Sequence, residues 1–308
     1  AVAFSPKGDY IATAGEDRLV RVWDHDSHKL VGDLRSHTDR IPALAWSPDG
    51  ALLASAGWDT SARVWRPGTP DPVMLLNSHA DQVTALAWSP DGSVLACADS
   101  DFDIYLWGDA TTGSVAHVLR GHLEDVRCLA FSADGSRLAS AGADKALHVY
   151  RLASPAPTRN FPHPNIVDTV AFQPKGTLLA SGGHDGKIRL FDLVKNVQQK
   201  EISAHINVVQ KNNVPQPIYS VVFSPDGKQL LSCSYDGSIK LWDVASGNMV
   251  KEFKAYELKT FEKGHQEPVY AATFSQDGKF IASGSSGLER GIKIWNLGDG
   301  SVVRDLAN

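Results

Sequence analysis

The sequence predicts an all-β chain built from seven repeated units of four strands each. Seven times an apolar run ends on an aromatic residue, a Ser-Pro-Asp-Gly-like turn follows, and a Trp, Tyr or Phe stands roughly fifteen residues further on. The turn glycines are Gly8, Gly50, Gly92, Gly135, Gly176, Gly227 and Gly278, which sets successive steps of 42, 42, 43, 41, 51 and 51 residues. A period near forty marks a repeat architecture, and units of that size cannot bury their apolar faces alone; they must stack on one another to make a core.

Residues 79–122 show how one unit is built. After His79 comes VTALAW, ending at Trp88, whose alternate positions are also largely apolar, as in a strand covered on both faces. Ser89-Pro90-Asp91-Gly92 then supplies a preset φ, a side chain that bonds its own backbone, and a residue tolerant of positive φ, the ingredients of a tight turn. VLACA, a turn at Asp101 and IYLW ending at Trp107 give two more strands, and SVAHVL gives a fourth that leads into Gly121-His122. Four antiparallel strands per unit make a propeller blade. The predicted fold is therefore a seven-bladed β-propeller of four-stranded antiparallel blades around a central channel. It reads as one domain, 1–308, with blades at approximately 1–37, 38–79, 80–122, 123–163, 164–205, 206–265 and 266–308.

Composition narrows the functional classes. Acidic residues outnumber basic ones, 35 to 30, and no Lys/Arg block stands out, so the electrostatic footprint of nucleic-acid binding is missing. Cys97, Cys128 and Cys233 each sit within an apolar strand pattern, where a thiol acts as a small hydrophobe. No apolar run approaches membrane-spanning length, and neither a leader pattern nor an Asn-x-Ser/Thr site occurs. A cytoplasmic monomer that binds neither nucleic acid nor membrane, and carries no cofactor or metal, is the expectation. The chain starts at Ala1, inside a repeat, and reads as an excised or trimmed piece.

The motifs resemble those of the WD-repeat (WD40) β-propeller family across the whole chain. Trp-Asp closes the third strand intact at Trp23-Asp24 and Trp242-Asp243, with variants at Trp65-Arg66, Trp107-Gly108, Tyr150-Arg151, Phe191-Asp192 and Trp295-Asn296. Gly-His stands intact at Gly121-His122 and Gly264-His265, and is varied at Ser36-His37, Ser78-His79, Pro162-His163 and Ala204-His205. The resemblance implies a structural hydrogen-bond network in each blade, formed by His, a hydroxyl residue, Asp and an aromatic. Blade 2 supplies His37, Ser55, Asp59 and Trp65; blade 4 supplies His122, Ser140 and Asp144; blade 6 supplies His205, Ser232, Asp236 and Trp242. Blades 2 and 6 are expected to be fullest, although the insertion beside His205 could displace it. Blade 3 has Cys97 for the hydroxyl, blade 5 has Phe191, which cannot donate, and blade 7 has Glu289 in a longer turn. Ser, His and Asp together imitate a hydrolase triad. A set that recurs in the same order in successive blades is better read as architecture than as one active site.

The resemblance also implies where a ligand docks: on the narrower top face, at three positions per blade. Two flank the first apolar residue of the inner strand and one precedes the turn Asp. Among these positions Arg40, Trp58, Arg127, His184, Tyr219, Tyr235 and Tyr270 are the candidate partner-binding residues, because aromatic and arginine side chains dominate interface energetics. The two steps of 51 mark insertions, one at 206–216 beside Tyr219 and Tyr235, the other between Trp242 and His265, where VKEF and LKTF compete as fourth strand. Asp24-His25-Asp26-Ser27-His28 lacks a closed ligand set, and Asp99, Asp101 and Asp103 lack the glycine and distal glutamate of a calcium loop. The leading reading is a non-catalytic scaffold that binds a protein or peptide around blades 5–7 and blade 2. A regulatory or sensor propeller within a larger, multidomain and bacterial protein is the alternative. An enzyme with its site in the central channel would need a singular polar cluster.

Overall fold

The computed structural model describes residues 1–27, 29–108, 113–152, 156–209, 212–254, 268–285 and 291–307. It contains seven four-stranded antiparallel sheets, each made of four consecutive strands, so every blade comes from contiguous sequence. Among the described residues no helix is long and apolar enough to cross a membrane. The chain divides into two compact units, 1–163 and 164–308.

The first unit holds blades 1 to 4, with inner strands Val2–Phe4, Ala43–Trp46, Val83–Trp88 and Val126–Phe131. Burial peaks in the second and third strands of a blade and is least in the fourth. In blade 2 the second strand, Leu53–Ala56, is buried throughout, whereas the fourth strand of blade 3, Ser114–Leu119, is exposed along most of its length. The apolar sequence of the middle strands follows from this, since both of their faces are covered. Successive blades share a core: Ala12, Val20, Val22 and Leu34 of blade 1 meet Ile41, Trp46, Leu53 and Trp65 of blade 2. The aromatic that closes an inner strand also reaches back one blade. Trp46 Nε1 donates to the Ala3 carbonyl at 3.2 Å, and Trp88 Nε1 to the Ala45 carbonyl at 3.1 Å.

The second unit holds blades 5 to 7, with inner strands Val167–Phe172, Ile218–Phe223 and Val269–Phe274. Its cores join Leu190, Ile218 and Trp242 between blades 5 and 6, and Phe253, Phe274 and Trp295 between blades 6 and 7. The insertion at 206–216 is not an irregular loop: Ile206–Val209 pairs with Asn212–Pro215 as a small hairpin, closed at its base by the Gln216 N–H donating to the His205 carbonyl. Met249–Lys254, which contains VKEF, is the fourth strand of blade 6. LKTF, His265, Leu288 and Glu289 lie outside the described residues.

The repeated turn is held by its serine. In blade 2 the Ser47 hydroxyl donates to Asp49 at 2.6 Å while accepting the Leu52 N–H at 2.9 Å, and Gly50 has φ 72°. Blade 5 reads Gln-Pro-Lys-Gly, has neither Ser nor Asp, and moves the left-handed residue to Lys175, φ 53°.

A second set of bonds, centred on the hydroxyl of the second strand, locks blades 2, 4 and 6. In blade 2 the Trp65 indole N–H donates to Ser55 Oγ at 2.8 Å, and Ser55 lies 2.7 Å from His37 Nε2. Indole can only donate, so the serine hydroxyl is free to donate to Nε2, and His37 then carries its proton on Nδ1, 3.0 Å from Asp59. Asp59 also accepts from the Thr38 N–H, the Ser61 hydroxyl and Arg63. A side chain at Gly57 would collide with both His37 and Asp59, which explains the glycine there. Burial, followed by the charge of Arg63, pulls the His37 imidazole down to about 4 against the opposing pull of Asp59. Burial alone would raise the Asp59 carboxyl, but its hydrogen bonds and the neighbouring imidazole outweigh this and hold it below its ordinary range.

Blade 6 repeats the arrangement. His205 sits 2.8 Å from both Asp236 and Ser232, and Trp242 donates to Ser232 at 2.9 Å. The hairpin insertion leaves His205 in place. In blade 4 His122 bridges Ser140 at 2.6 Å and Asp144 at 2.9 Å. In blade 5 His163 Nδ1 instead donates to the Phe161 carbonyl at 2.9 Å, and Asp185 pairs with Arg189 at 2.6 Å. Blade 3 is broken at its centre. With Cys97 in place of the hydroxyl, both ring nitrogens of His79 and the Trp107 indole nitrogen have no hydrogen-bond partner among the described residues, and His79 stands 3.4 Å from Asp99.

Three outcomes follow from this geometry. Asp59→Ala strands the His37, Thr38 and Arg63 donors and should cost about 1 to 3 kcal/mol in denaturant unfolding; an unchanged midpoint would refute the role given to Asp59. Cys97→Ser supplies the missing acceptor and donor to Trp107 and His79, and should raise stability by about 1 kcal/mol, read as a higher thermal midpoint. His37 is held neutral in the folded state and titrates near 6.5 when unfolded. Its stabilising contribution is complete above that value and is lost as pH falls toward about 4. Urea midpoints measured across this window should decline in the parent chain and decline less steeply in His37→Gln.

Candidate functional site

Two backbone devices build the surface at the ends of the inner strands. The first is a repeated hydrogen bond from the residue before the turn Asp to the carbonyl of the residue before the inner strand. Trp58 N–H donates to Arg40 O at 2.9 Å, Ser100 to Gln82 at 3.0 Å, Ala143 to Asp125 at 2.9 Å, His184 to Ile166 at 3.0 Å and Tyr235 to Pro217 at 3.0 Å. Side chains far apart in sequence are thereby set next to each other. The second is a β-bulge near the start of the inner strand. Pairing skips Thr84, Arg127, Asp168, Tyr219 and Tyr270 in blades 3 to 7. A bulged residue leaves the ladder and its side chain is re-aimed. Pro42 occupies that place in blade 2, where it has no N–H to give, and the strand starts only at Ala43.

In the first unit these devices stack Arg40 on Trp58, with the guanidinium 4.6 Å from the ring centre. Both side chains are half-buried. Arg127 is exposed and faces Asp125 at 3.5 Å. Thr84 turns inward instead, donating to the Val126 carbonyl at 2.6 Å. Leu123, which follows the network histidine of blade 4, is 79% exposed and is the most exposed large apolar side chain described. Position after the histidine, which was not among the mapped positions, would have found it.

In the second unit Tyr219 and Tyr270 stack across adjacent blades, ring centres 4.8 Å apart and planes 28° from parallel. Tyr235 and Tyr270 are each 42% exposed, while Tyr219 is half-buried. Burial, then the nearness of Tyr270, Asp168 and Tyr235, pushes the Tyr219 phenol up to about 12, so it is a neutral donor under ordinary conditions. His184 Nε2 lies 3.0 Å from Asp168. The seven candidate residues thus form an Arg–Trp pair and an exposed Arg in one unit, and a tyrosine cluster with a His–Asp pair in the other. Such surfaces combine flat apolar area with fixed donors, which suits recognition of a polypeptide.

The model of the family described as WD domain, G-beta repeat matches residues 1–24, 28–66, 70–108, 113–151, 156–192, 199–243 and 256–296. WD repeat-containing protein SL1-17 from Schistosoma mansoni is 28% identical over 135 residues, 44% of this chain and 38% of that protein. COMPASS component SWD3 from Saccharomyces cerevisiae is 30% identical over 142 residues, 46% of this chain and 42% of that protein. Small ribosomal subunit protein RACK1 from Drosophila melanogaster is 28% identical over 135 residues, 44% of this chain and 38% of that protein. Each of these matches spans less than half of the relative's own length. With seven matched repeats and seven four-stranded blades, the chain belongs to the WD-repeat family.

Proposed function

We propose that the chain is a non-catalytic scaffold that binds a protein or peptide ligand through the bulge-presented side chains of blades 5 to 7, with the Arg40–Trp58 pair of blade 2 as a second contact. The observation that carries this reading is the Tyr219–Tyr270 stack with Tyr235 beside it. A stacked pair already ordered in the free chain loses little side-chain freedom on binding, and each phenol adds a directional donor. Nothing in the blade requires three tyrosines at these positions: blade 3 uses Thr84 and Ser100, and blade 4 uses Ala143. Relatives named as components of COMPASS and of the small ribosomal subunit support a place within an assembly.

Truncation of the tyrosines separates binding from folding. Tyr219→Ala combined with Tyr270→Ala should reduce retention of the partner in affinity capture by about tenfold or more, with the unfolding midpoint close to that of the parent. Trp58→Ala should weaken retention to a smaller degree. Equal capture by the parent chain, the double variant and Trp58→Ala would remove these residues from consideration.

A further inference from the structure

Strand register places one residue of each third strand directly opposite the network hydroxyl in the second. That residue is Arg21 opposite Thr13 in blade 1, Arg63 opposite Ser55 in blade 2 and Arg189 opposite Ser181 in blade 5. In each of these the arginine reaches the turn carboxylate, at 2.5 Å from Asp17, 2.9 Å from Asp59 and 2.6 Å from Asp185. Lys240 and Lys293 hold the same place in blades 6 and 7. Blade 4 departs from this pattern, because His148 stands opposite Ser140.

The substitution leaves a distinctive cluster. His122, Asp144 and His148 each offer a ligand atom, and these atoms all lie within 4.8 Å of one another. His148 is 5% exposed and its Nδ1 has no hydrogen-bond partner among the described residues. Its ring meets that of His122 edge-on, centres 4.4 Å apart. Asp144 is fixed by the Leu123 and Ala146 N–H groups at 3.0 and 3.1 Å. Gly142 keeps the space beside it open, since a Cβ there would stand 3.0 Å from His122 Nδ1 and 3.1 Å from Asp144.

We propose that blade 4 binds a divalent ion of the zinc class on His122, Asp144 and His148, in the place where blades 1, 2 and 5 carry a guanidinium. Two imidazoles and one carboxylate are the donor set that such borderline ions take, and they leave a fourth position for water or an outside ligand. Tetrahedral bonds of about 2.1 Å put donor atoms about 3.4 Å apart, so the cluster closes with a movement on the order of 1 Å.

The proton inventory balances without an added acid or base. His122 shifts its single proton from Nδ1 to Nε2, where it donates to Ser140 Oγ, and Nδ1 becomes a ligand atom. In blades 2 and 6 this shift would leave the serine hydroxyl without an acceptor, because the tryptophan there only donates. Blade 4 has Tyr150 instead, whose buried hydroxyl lies beside Ser140 and can accept from the serine.

The test is zinc(II) and cobalt(II) titration of the full chain after chelator treatment. The parent chain should bind one equivalent at this cluster at micromolar metal, develop the visible absorption of tetrahedral cobalt, and show a higher thermal midpoint with zinc. His148→Arg installs the side chain of blades 1, 2 and 5 and should weaken binding by about tenfold or more and abolish the zinc-induced rise. His117→Ala, on the exposed fourth strand of blade 3, should change neither readout. Should the arginine variant unfold early without metal, His148→Gln serves the same comparison. Equal affinity in the parent and either His148 variant, or no uptake by the parent at micromolar metal, overturns the proposal.

Discussion

In blades 2 and 6, where it is complete, the chain of hydrogen bonds from indole to serine to imidazole to carboxylate is the constraint on which the rest of the blade depends. Its members come from the third strand, the second strand, the segment that enters the blade, and the turn between the second and third strands. In blade 2 these are Trp65, Ser55, His37 and Asp59, joined at 2.8, 2.7 and 3.0 Å. Strand pairing alone would leave the entering segment and the turn to find their own positions. The network ties them to the buried middle of the sheet, where an unmade bond carries the full desolvation cost. Trp58 and Arg40 stand next to Asp59 in the turn and next to the entering segment respectively, so the same bonds that close the blade also set the geometry of the surface.

Direction matters in such a chain as much as distance. Indole supplies a proton at one end and carboxylate supplies lone pairs at the other, so every hydroxyl and imidazole between them has its role assigned. Replacing one member changes what the others can do. Cysteine at position 97 removes both a good donor and a good acceptor, and leaves His79 and Trp107 facing a sulfur they cannot use well. Phenylalanine at 191 removes the donor end, and in that blade the turn carboxylate is taken up by Arg189. Tyrosine at 150 can accept as well as donate, which frees the direction of the chain in blade 4.

The fold was legible because each of its requirements leaves a separate mark on the sequence. In most blades the turn uses Ser, Asp and a residue of positive φ at fixed offsets, and the inner strand closes on an aromatic that can reach the preceding blade, as Trp46 and Trp88 do. Repetition multiplies these marks sevenfold. The surface was legible only as positions. That Tyr219 and Tyr270 would stack, or that Arg40 would lie over Trp58, depends on bulges and backbone bonds that tolerate almost any side chain and therefore imprint nothing on composition. The hairpin at 206–215 escaped a reading as strand because the sequence from Ile206 to Val214 carries no Gly or Pro turn signal. His148 escaped as well: it lies on the third strand, and only register reveals that it faces Ser140.

Rigid repeats present a variable surface by keeping the two tasks on different atoms. The platform bonds and the bulges use backbone N–H and C=O groups, while the side chains at the same residues face outward. Thr84 shows the limit of this freedom. Its hydroxyl donates to the carbonyl of Val126 in the next blade, at 2.6 Å, and so becomes part of the scaffold. Tyr219 and Tyr270 are too long to fold back in that way, and they meet each other above the blades instead. Side-chain length at one bulged position therefore decides whether that residue bonds to the neighbouring blade or stands out on the surface.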